Sequence, residues 1–88
     1  MTVLFESSFE KDLRKITGKE IKATILLTIQ NTKAATSLRE IKNLKKLHSL
    51  RNYYRIKIGD YRIGLEFLNN SLIFVRCLHR KDIYKYFP

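Results

Sequence analysis

The stretch from Tyr53 to Leu78 constrains the fold more than any other part of the chain. Its apolar side chains recur mostly at every second position, which is the period of a β-strand with one buried face. Gly59-Asp60 and Asn69-Asn70 interrupt this alternation. Both pairs suit two-residue hairpin turns, because glycine and asparagine tolerate the positive φ angles that such turns require. The pattern therefore predicts three consecutive antiparallel strands, over Tyr53–Ile58, Tyr61–Leu68 and Ser71 to about Leu78.

The N-terminal segment predicts a short strand over Thr2–Glu6 followed by a helix. Ser7 is expected as the N-cap of that helix, with Glu10 three residues later completing a capping box. Gly18 either ends the helix or forms the turn after it. The apolar residues of its buried stripe, at helical spacing, are Phe9, Leu13 and Ile16.

A second helix is expected from about Lys19 to Asn31. Its buried face is predicted to hold Ile21, Ile25 and Ile29, with Leu26 and Leu27 widening the stripe. A short helix over roughly 37–42 follows, and then an irregular basic segment. The predicted fold class is therefore α+β: a small antiparallel sheet, built from the N-terminal strand and the C-terminal meander, covered by an N-terminal helical hairpin.

The length and composition bound the class of protein. A chain of 88 residues suits a single domain over residues 1–88, and 44% hydrophobic residues suffice for a packed core. The only cysteine, Cys77, lies in an apolar run and is expected to be a buried free thiol. A single cysteine indicates a reducing compartment, and no apolar stretch reaches 18 residues, so we expect a cytoplasmic protein without a membrane segment.

The net charge of +10 points to an anionic partner. Residues 1–20 hold four basic and four acidic side chains, so the remaining 14 basic and 4 acidic residues lie in 21–88. Within that part, a local basic cluster is formed by Lys42, Lys45 and Lys46. These lysines either contact phosphates or form a solvated face.

The hairpin around Gly59-Asp60 places like charges together. Its register sets Lys57 opposite Arg62 and Arg55 opposite Gly64, all on one face. Like charges directly opposite each other destabilise a sheet, whereas a phosphate-binding site requires them. Gly64 leaves a gap among the long cations, which indicates either close approach of a ligand or a β-bulge.

The last strand leaves two alternatives open. Strict alternation from the Asn69-Asn70 turn would put Arg76 on the apolar face, so either a bulge shifts the register after Val75 or the strand ends before His79. In both cases the residues after the strand come near enough to reach the basic face of the hairpin. These residues are His79, Arg80, Lys81 and Tyr84.

The residue types exclude several chemistries. The sequence holds no paired carboxylates, Cys/His metal spacing, glycine-rich phosphate loop or Ser/His/Asp set, so no metal or other cofactor is expected. The two histidines, His48 and His79, are isolated, and a lone histidine is more often structural than catalytic. Arginine and lysine side chains bind phosphate, and tyrosines stack on bases. RNA supplies its own nucleophile, the 2′-OH, so cations and one or two polar groups suffice for cleavage.

Four segments together resemble the RelE-type toxins of the RelE/ParE superfamily of toxin–antitoxin systems. They are FEKDLRKI in the first helix, SLREIKNLKKL before the hairpin, YRIKIGDYRI in the hairpin and HRKDIYKYF at the end. The resemblance covers nearly the whole chain. It implies a small antiparallel sheet covered by helices.

The resemblance also implies an activity. RelE-type members cleave messenger RNA, typically in the ribosomal A site, without a metal, by 2′-OH attack that leaves a 2′,3′-cyclic phosphate. The matching positions are Arg55, Lys57, Arg62, Arg80 and Tyr84, with the cations implied to hold the scissile phosphate and Tyr84 to transfer protons. The family's nucleases often have lysine where Arg55 stands, and arginine cannot act as a base. Lys57 is then the only candidate base on this strand, while Tyr84 is favoured by the resemblance and His79 by its chemistry alone.

Two other functions are compatible with the same residues. ParE-type members share the fold but inhibit DNA gyrase without nuclease activity, and a non-catalytic RNA-binding module would need the same cations. Retention of Lys57, Arg62, Arg80 and Tyr84 favours the nuclease. The expected partners are mRNA, the ribosome and a cognate antitoxin with an acidic segment.

Overall fold

The computed structural model describes residues 1–47 and 51–88. Its strands are β1 (Thr2–Phe5), β2 (Leu44–Lys46), β3 (Tyr53–Ile58), β4 (Tyr61–Leu68) and β5 (Ser71–His79), and its helices are α1 (Ser7–Lys15), α2 (Lys19–Ala34) and α3 (Ile83–Tyr86). A 3-10 turn at Leu38–Glu40 precedes β2. The interpretation of His48 as a structural histidine falls outside the described residues.

The strands of the described residues form one sheet in the order β1-β5-β4-β3-β2. The pairs β2–β3, β3–β4 and β4–β5 are antiparallel, whereas β1 runs parallel to β5. The predicted α+β class is confirmed. The sheet is mixed rather than wholly antiparallel, because β5 runs in the same direction as β1 when the chain returns to pair with it.

The segment between α2 and the hairpin differs from the prediction. The expected helix over 37–42 is only the 3-10 turn, and the expected irregular segment contains β2. Asn43, at a φ of 63°, turns the chain into line with the free edge of β3. Leu44–Lys46 then pairs with residues 54–56 of that strand.

The predicted register of the hairpin is confirmed. Lys57 lies opposite Arg62, Ile56 opposite Ile63 and Arg55 opposite Gly64. Gly59 takes a φ of 56°, and Asn69 and Asn70 take φ values of 51° and 60°, so both predicted turns use residues suited to the left-handed region. We call the face that carries Arg55, Lys57 and Arg62 the outer face, and the opposite face, with Ile56, Ile63 and Leu65, the core face.

A β-bulge settles the register of β5. Leu65 pairs with Phe74 and Gly64 pairs with Arg76, so Val75 is an extra residue between them. The bulge returns Arg76 to the outer face and transfers Cys77, 2% exposed, to the core face. Of the two alternatives predicted from the sequence, the bulge is the one confirmed.

The two N-terminal helices lie against the core face and the edge of β5. Ile25 and Ile29 of α2 are buried, as predicted, and α2 runs three residues further than expected. Leu26 and Leu27 were expected to widen this stripe, but 49% and 55% of their surfaces are exposed, because a single narrow stripe ending at Thr32 meets the sheet. None of the helices in the described residues is long and apolar enough to cross a membrane.

The start of α1 also differs from the prediction. Ser7 is the first helical residue and Glu6 precedes the helix, so the expected capping box, which needs serine at the preceding position, is wrong. The Ser8 hydroxyl donates a hydrogen bond of 2.6 Å to the carbonyl of Val75. Val75 lies in β5, directly after the residues that pair with β1. Phe9 and Ile16 are buried as expected, and so is Asp12 between them.

The C-terminal turn, which comprises α3 and Phe87, folds back over the outer face. Ile83 and Phe87 are 0% and 3% exposed. Phe87 lies against Gly64, where a Cβ atom would stand only 2.5 Å from its ring carbon Cδ2. The gap that the sequence suggested for a ligand is therefore occupied by the chain's own Phe87, and the competing explanation, a bulge, is also present between Gly64 and Leu65.

Candidate nucleic-acid interface

Three basic residues lie close to the Gly59-Asp60 turn. Lys57 and Arg62 lie directly opposite each other on β3 and β4. Arg80 follows β5, and its backbone N–H donates a hydrogen bond of 2.7 Å to the Asp60 carbonyl in the turn. We call Lys57, Arg62 and Arg80 the cationic cluster.

Arg62 is held by neutral partners. Its Nη1 donates to the carbonyls of Gly59 and Tyr61, at 2.7 and 2.9 Å. Carbonyls orient a guanidinium without neutralising it, so the positive charge remains available to an anion. Glu66 lies on the same outer face, opposite Tyr53 and Ile73, and within the described residues no ion pair joins it to these cations.

Arg80 has a weak acidic neighbour. Its Nε lies 3.8 Å from Asp60 Oδ1, and both side chains are mostly exposed. An exposed pair at this distance contributes about 0–1 kcal/mol to stability, so a phosphate can compete with it.

Arg55 lies on the same face but points toward the edge of the sheet. Its Nη1 donates a hydrogen bond of 2.9 Å to the Asn43 carbonyl, which also accepts from the Lys57 N–H at 3.3 Å. Lys45 of β2 lies opposite Arg55, so these two residues extend the positive outer face toward β2.

The other predicted RNA-binding lysines are dispersed. Lys46 pairs with Tyr54 and therefore points away from the outer face. Lys42 lies in the turn before β2, beside a cleft of about 360 Å³ that Lys57 and Asn43 also line. Lys81 is exposed after β5. The expected cluster of Lys42, Lys45 and Lys46 is thus split, and only Lys45 joins the outer face.

His79 lies apart from the cationic cluster. It pairs with Tyr61, and the two rings are 5.8 Å apart in an edge-to-face arrangement. Its Nδ1 accepts a hydrogen bond of 3.1 Å from the Lys81 N–H. The bulge places His79 on the side of the sheet where Tyr61 and Ile21 lie, rather than beside Arg62.

Tyr84 lies on the C-terminal turn with 59% of its surface exposed. In a helical turn Ile83 and Phe87 share one side, and residues 84 and 86 project to the two flanks of that side. Tyr86 meets β5, since its ring centroid is 5.5 Å from the Arg76 guanidinium carbon. Tyr84 therefore projects to the opposite flank, toward β4 and β3.

Arg76, a further arginine of the outer face, is neutralised by Asp12. Arg76 Nε and Nη2 donate to the two oxygens of Asp12, at 2.7 and 3.1 Å, and the Cys77 N–H donates to the same carboxylate at 3.0 Å. The bond to Asp12 raises the pKa of Arg76. Burial raises the pKa of the Cys77 thiol to about 12, so the thiol stays protonated.

Reasoning from the sequence did not single out Asp12, Asn43 or Phe87. Asp12 had a signal, because it lies three residues after Phe9 and four before Ile16, on the buried stripe of α1. Asn43 is an asparagine before an apolar residue, a common left-handed position. Phe87 had none, because its partner Gly64 lies 23 residues away.

Comparisons with known proteins agree with this fold. The sequence model of a family described as "ParE toxin of type II toxin-antitoxin system, parDE" matches residues 3–84. Toxin RelE3 of Methanocaldococcus jannaschii is 46% identical over 89 aligned residues that span all of both chains. With a fold and a matching family both established, the chain belongs to the ParE toxin family and is a toxin of a type II toxin–antitoxin system.

Solved structures are also similar to this chain. The RelB–RelE antitoxin–toxin complex from Methanococcus jannaschii aligns with a TM-score of 0.80 and 44% identity, over 97% of this chain and 99% of that one. The archaeal RelE–RelB complex from Pyrococcus horikoshii aligns with a TM-score of 0.70 and 19% identity, over 90% and 93% of the two chains, and shares the fold.

Proposed function

We propose that this toxin is an endoribonuclease that cleaves mRNA without a metal ion. The observation that carries the proposal is the cationic cluster: Lys57 and Arg62 directly opposite each other, with Arg80 bonded to the turn beside them. Such an arrangement costs stability in a sheet unless an anion uses it. A phosphodiester flanked by these three side chains would be the anion.

The reaction is an attack of the ribose 2′-oxygen on the adjacent phosphorus. The new P–O2′ bond forms as the P–O5′ bond breaks, which leaves a 2′,3′-cyclic phosphate and a free 5′-hydroxyl. The phosphorane between them carries extra negative charge, and cations placed around it lower its energy. Arg62 suits this role, because its carbonyl partners fix the guanidinium without cancelling its charge.

Two protons must move: one leaves the 2′-hydroxyl and one reaches the 5′-oxygen. Tyr84, exposed and projecting toward β4 and β3, is the better placed of the two predicted aromatic carriers. His79 pairs with Tyr61 and uses its Nδ1 to accept from Lys81. Lys57 is the candidate base on β3. We therefore assign proton transfer to Tyr84 and Lys57, and leave His79 a secondary candidate.

The partners follow from the charge and from the relatives. A strongly positive outer face fits mRNA held in the ribosomal A site, where single-stranded phosphates are presented. The M. jannaschii relative was solved with its RelB antitoxin. We propose that this toxin has a cognate antitoxin as well, whose acidic segment covers the positive surface.

The test is to map RNA ends after the toxin is expressed and again with purified toxin, ribosomes and a defined mRNA. We expect new mRNA ends within codons, with cyclic phosphate at the upstream fragment. Cleavage should persist when a chelator is added while enough magnesium remains to keep the ribosomes intact. Loss of cleavage under that condition would refute the metal-free mechanism.

A second candidate function is inhibition of DNA gyrase, which the description of the matching family as ParE toxins favours. It predicts gyrase-dependent DNA breaks and intact mRNA after expression. That pair of results would replace the nuclease proposal.

A further inference from the structure

Among the contacts that attach the C-terminal turn to the outer face, two stand out because no role in phosphate binding explains them. One is Phe87 against Gly64, and the other is Tyr86 beside Arg76. We propose that Phe87 and Arg76 are positioning residues that aim Tyr84 at the cationic cluster. This proposal rests on the proposed nuclease function and deepens it.

Phe87 fixes the height of the turn above the sheet. Its ring fills the place where any other residue at position 64 would have a Cβ, 2.5 to 2.8 Å from three ring carbons. Tyr53 meets the same ring edge-to-face, with centroids 5.5 Å apart. Phe87 is 3% exposed, so the turn is anchored at its C-terminal side.

Arg76 fixes the rotation of the turn. Its guanidinium is held in two bonds by Asp12, so it offers a rigid platform beside the Tyr86 ring. With Ile83 and Phe87 buried and Tyr86 on the β5 flank, Tyr84 has one remaining flank, the one toward β4 and β3, the strands that carry Arg62 and Lys57. Loss of either contact would let the turn lift or rotate while the cationic cluster stays in place.

The proposal predicts a particular kinetic change. Phe87→Ala should lower kcat for a ribosome-bound mRNA by about 10- to 100-fold, because a misplacement of about 1 Å costs on that order. KM should change by less than about 3-fold, because the phosphate-binding cations are untouched. Phe87→Leu, which keeps an apolar side chain over Gly64, should recover most of kcat. Lys85→Ala, on the same turn but exposed, is the matched control and should behave as wild type.

A double-mutant cycle with Tyr84→Phe separates positioning from general stability. If Phe87 acts through Tyr84, then Phe87→Ala should lower kcat by no more than about 2-fold in the Tyr84→Phe background. Equal losses in both backgrounds, or full activity of Tyr84→Phe alone, would overturn the proposal.

Two further measurements keep the test informative. Gly64→Ala displaces Phe87 by a different route and should reproduce the fall in kcat, so it replaces Phe87→Ala if that variant does not fold. Amide hydrogen exchange over residues 83–87 should accelerate in both variants, with the exchange of β3–β5 unchanged. If the wild-type toxin cleaves no RNA, the proposed function has failed, and the role of Phe87 in positioning Tyr84 for cleavage fails with it. If the toxin cleaves RNA but amide exchange over residues 83–87 is the same in the two variants as in wild type, only the anchoring of the turn by Phe87 is refuted.

Discussion

Arg62 and Arg76 lie on neighbouring strands of the same outer face, yet their surroundings give them opposite properties. Arg62 donates to two backbone carbonyls, whereas Arg76 donates to both oxygens of Asp12. Carbonyls leave the guanidinium charge in place, and a carboxylate cancels it. Position on a basic face therefore does not by itself define a binding residue. The partner of each arginine decides whether its charge stays available to an anion or is used within the fold.

The largest expected effect is on the Arg62 side of this comparison. Arg62→Ala should lower RNA cleavage by about 100- to 1000-fold, because it removes a fixed charge beside the phosphorane. Arg80→Ala should do the same. The melting temperature should stay within about 2 °C of wild type, since Arg62→Ala loses two hydrogen bonds to carbonyls but relieves the repulsion with Lys57, and Arg80→Ala loses an exposed ion pair. Arg14→Ala, an exposed arginine on α1, is the matched control, and wild-type cleavage by either cluster variant would contradict the assignment.

The second prediction concerns Asp12. Asp12→Ala strands a partly buried guanidinium and the Cys77 N–H, so the free energy of unfolding should fall by about 2–4 kcal/mol. Urea denaturation measures it, with Glu10→Ala, an exposed acid on the same helix, as the control. Asp12→Asn keeps an oxygen acceptor for the Cys77 N–H. Its free energy of unfolding should therefore lie between those of Asp12→Ala and Glu10→Ala. A midpoint equal to wild type in Asp12→Ala would show that Arg76 needs no partner.

The third prediction uses pH and the Cys77 thiol next to this pair. The folded state raises the pKa of the thiol from 9.0 to about 12, so below pH 9 both states are protonated and the thiol has no pH-dependent effect. Above pH 9 only the unfolded state loses the proton. The stability should then fall by about 1.4 kcal/mol per pH unit relative to Cys77→Ala. Parallel stability curves for the two proteins between pH 9 and 11 would contradict the burial of the thiol.

The smallest effect compares two adjacent serines. Ser8→Ala removes the bond to the Val75 carbonyl and should cost about 1 kcal/mol in thermal or urea unfolding. Ser7→Ala should be neutral, because Ser7 lies within α1. A larger loss of stability in Ser7→Ala than in Ser8→Ala would instead support the capping box predicted from the sequence.

The hairpin could be predicted to the residue because its determinants are local. Gly59-Asp60 sets the turn, the turn sets the register, and the alternation of isoleucines sets the faces. The same logic showed that strict alternation would bury Arg76, but it left a bulge after Val75 and an early end of the strand as alternatives, and the structure has the bulge. The resemblance to RelE-type toxins then supplied roles for residues whose positions the register had already grouped.

What sequence reasoning missed depends on contacts between distant residues. β2 has only three residues and gains its structure from the edge of β3, so its own composition carries little signal. Leu26 and Leu27 fit an apolar stripe by spacing, but only the narrower stripe of Ile25, Ile29 and Thr32 is buried. Phe87 against Gly64 and Asp12 against Arg76 join segments 23 and 64 residues apart, and no local pattern reports such pairs.

The parallel pairing of β1 with β5 has a consequence for synthesis. Thr2 pairs with Ser71, so the first strand that leaves the ribosome must wait for the last before it finds its place in the sheet. At roughly 5–20 residues per second, that interval lasts roughly 3–14 s. The C-terminal turn, with Tyr84, comes later still. A toxin of this topology therefore cannot complete its sheet until β5 has left the ribosome, which gives an antitoxin already present in the cell the opportunity to meet it as soon as it folds.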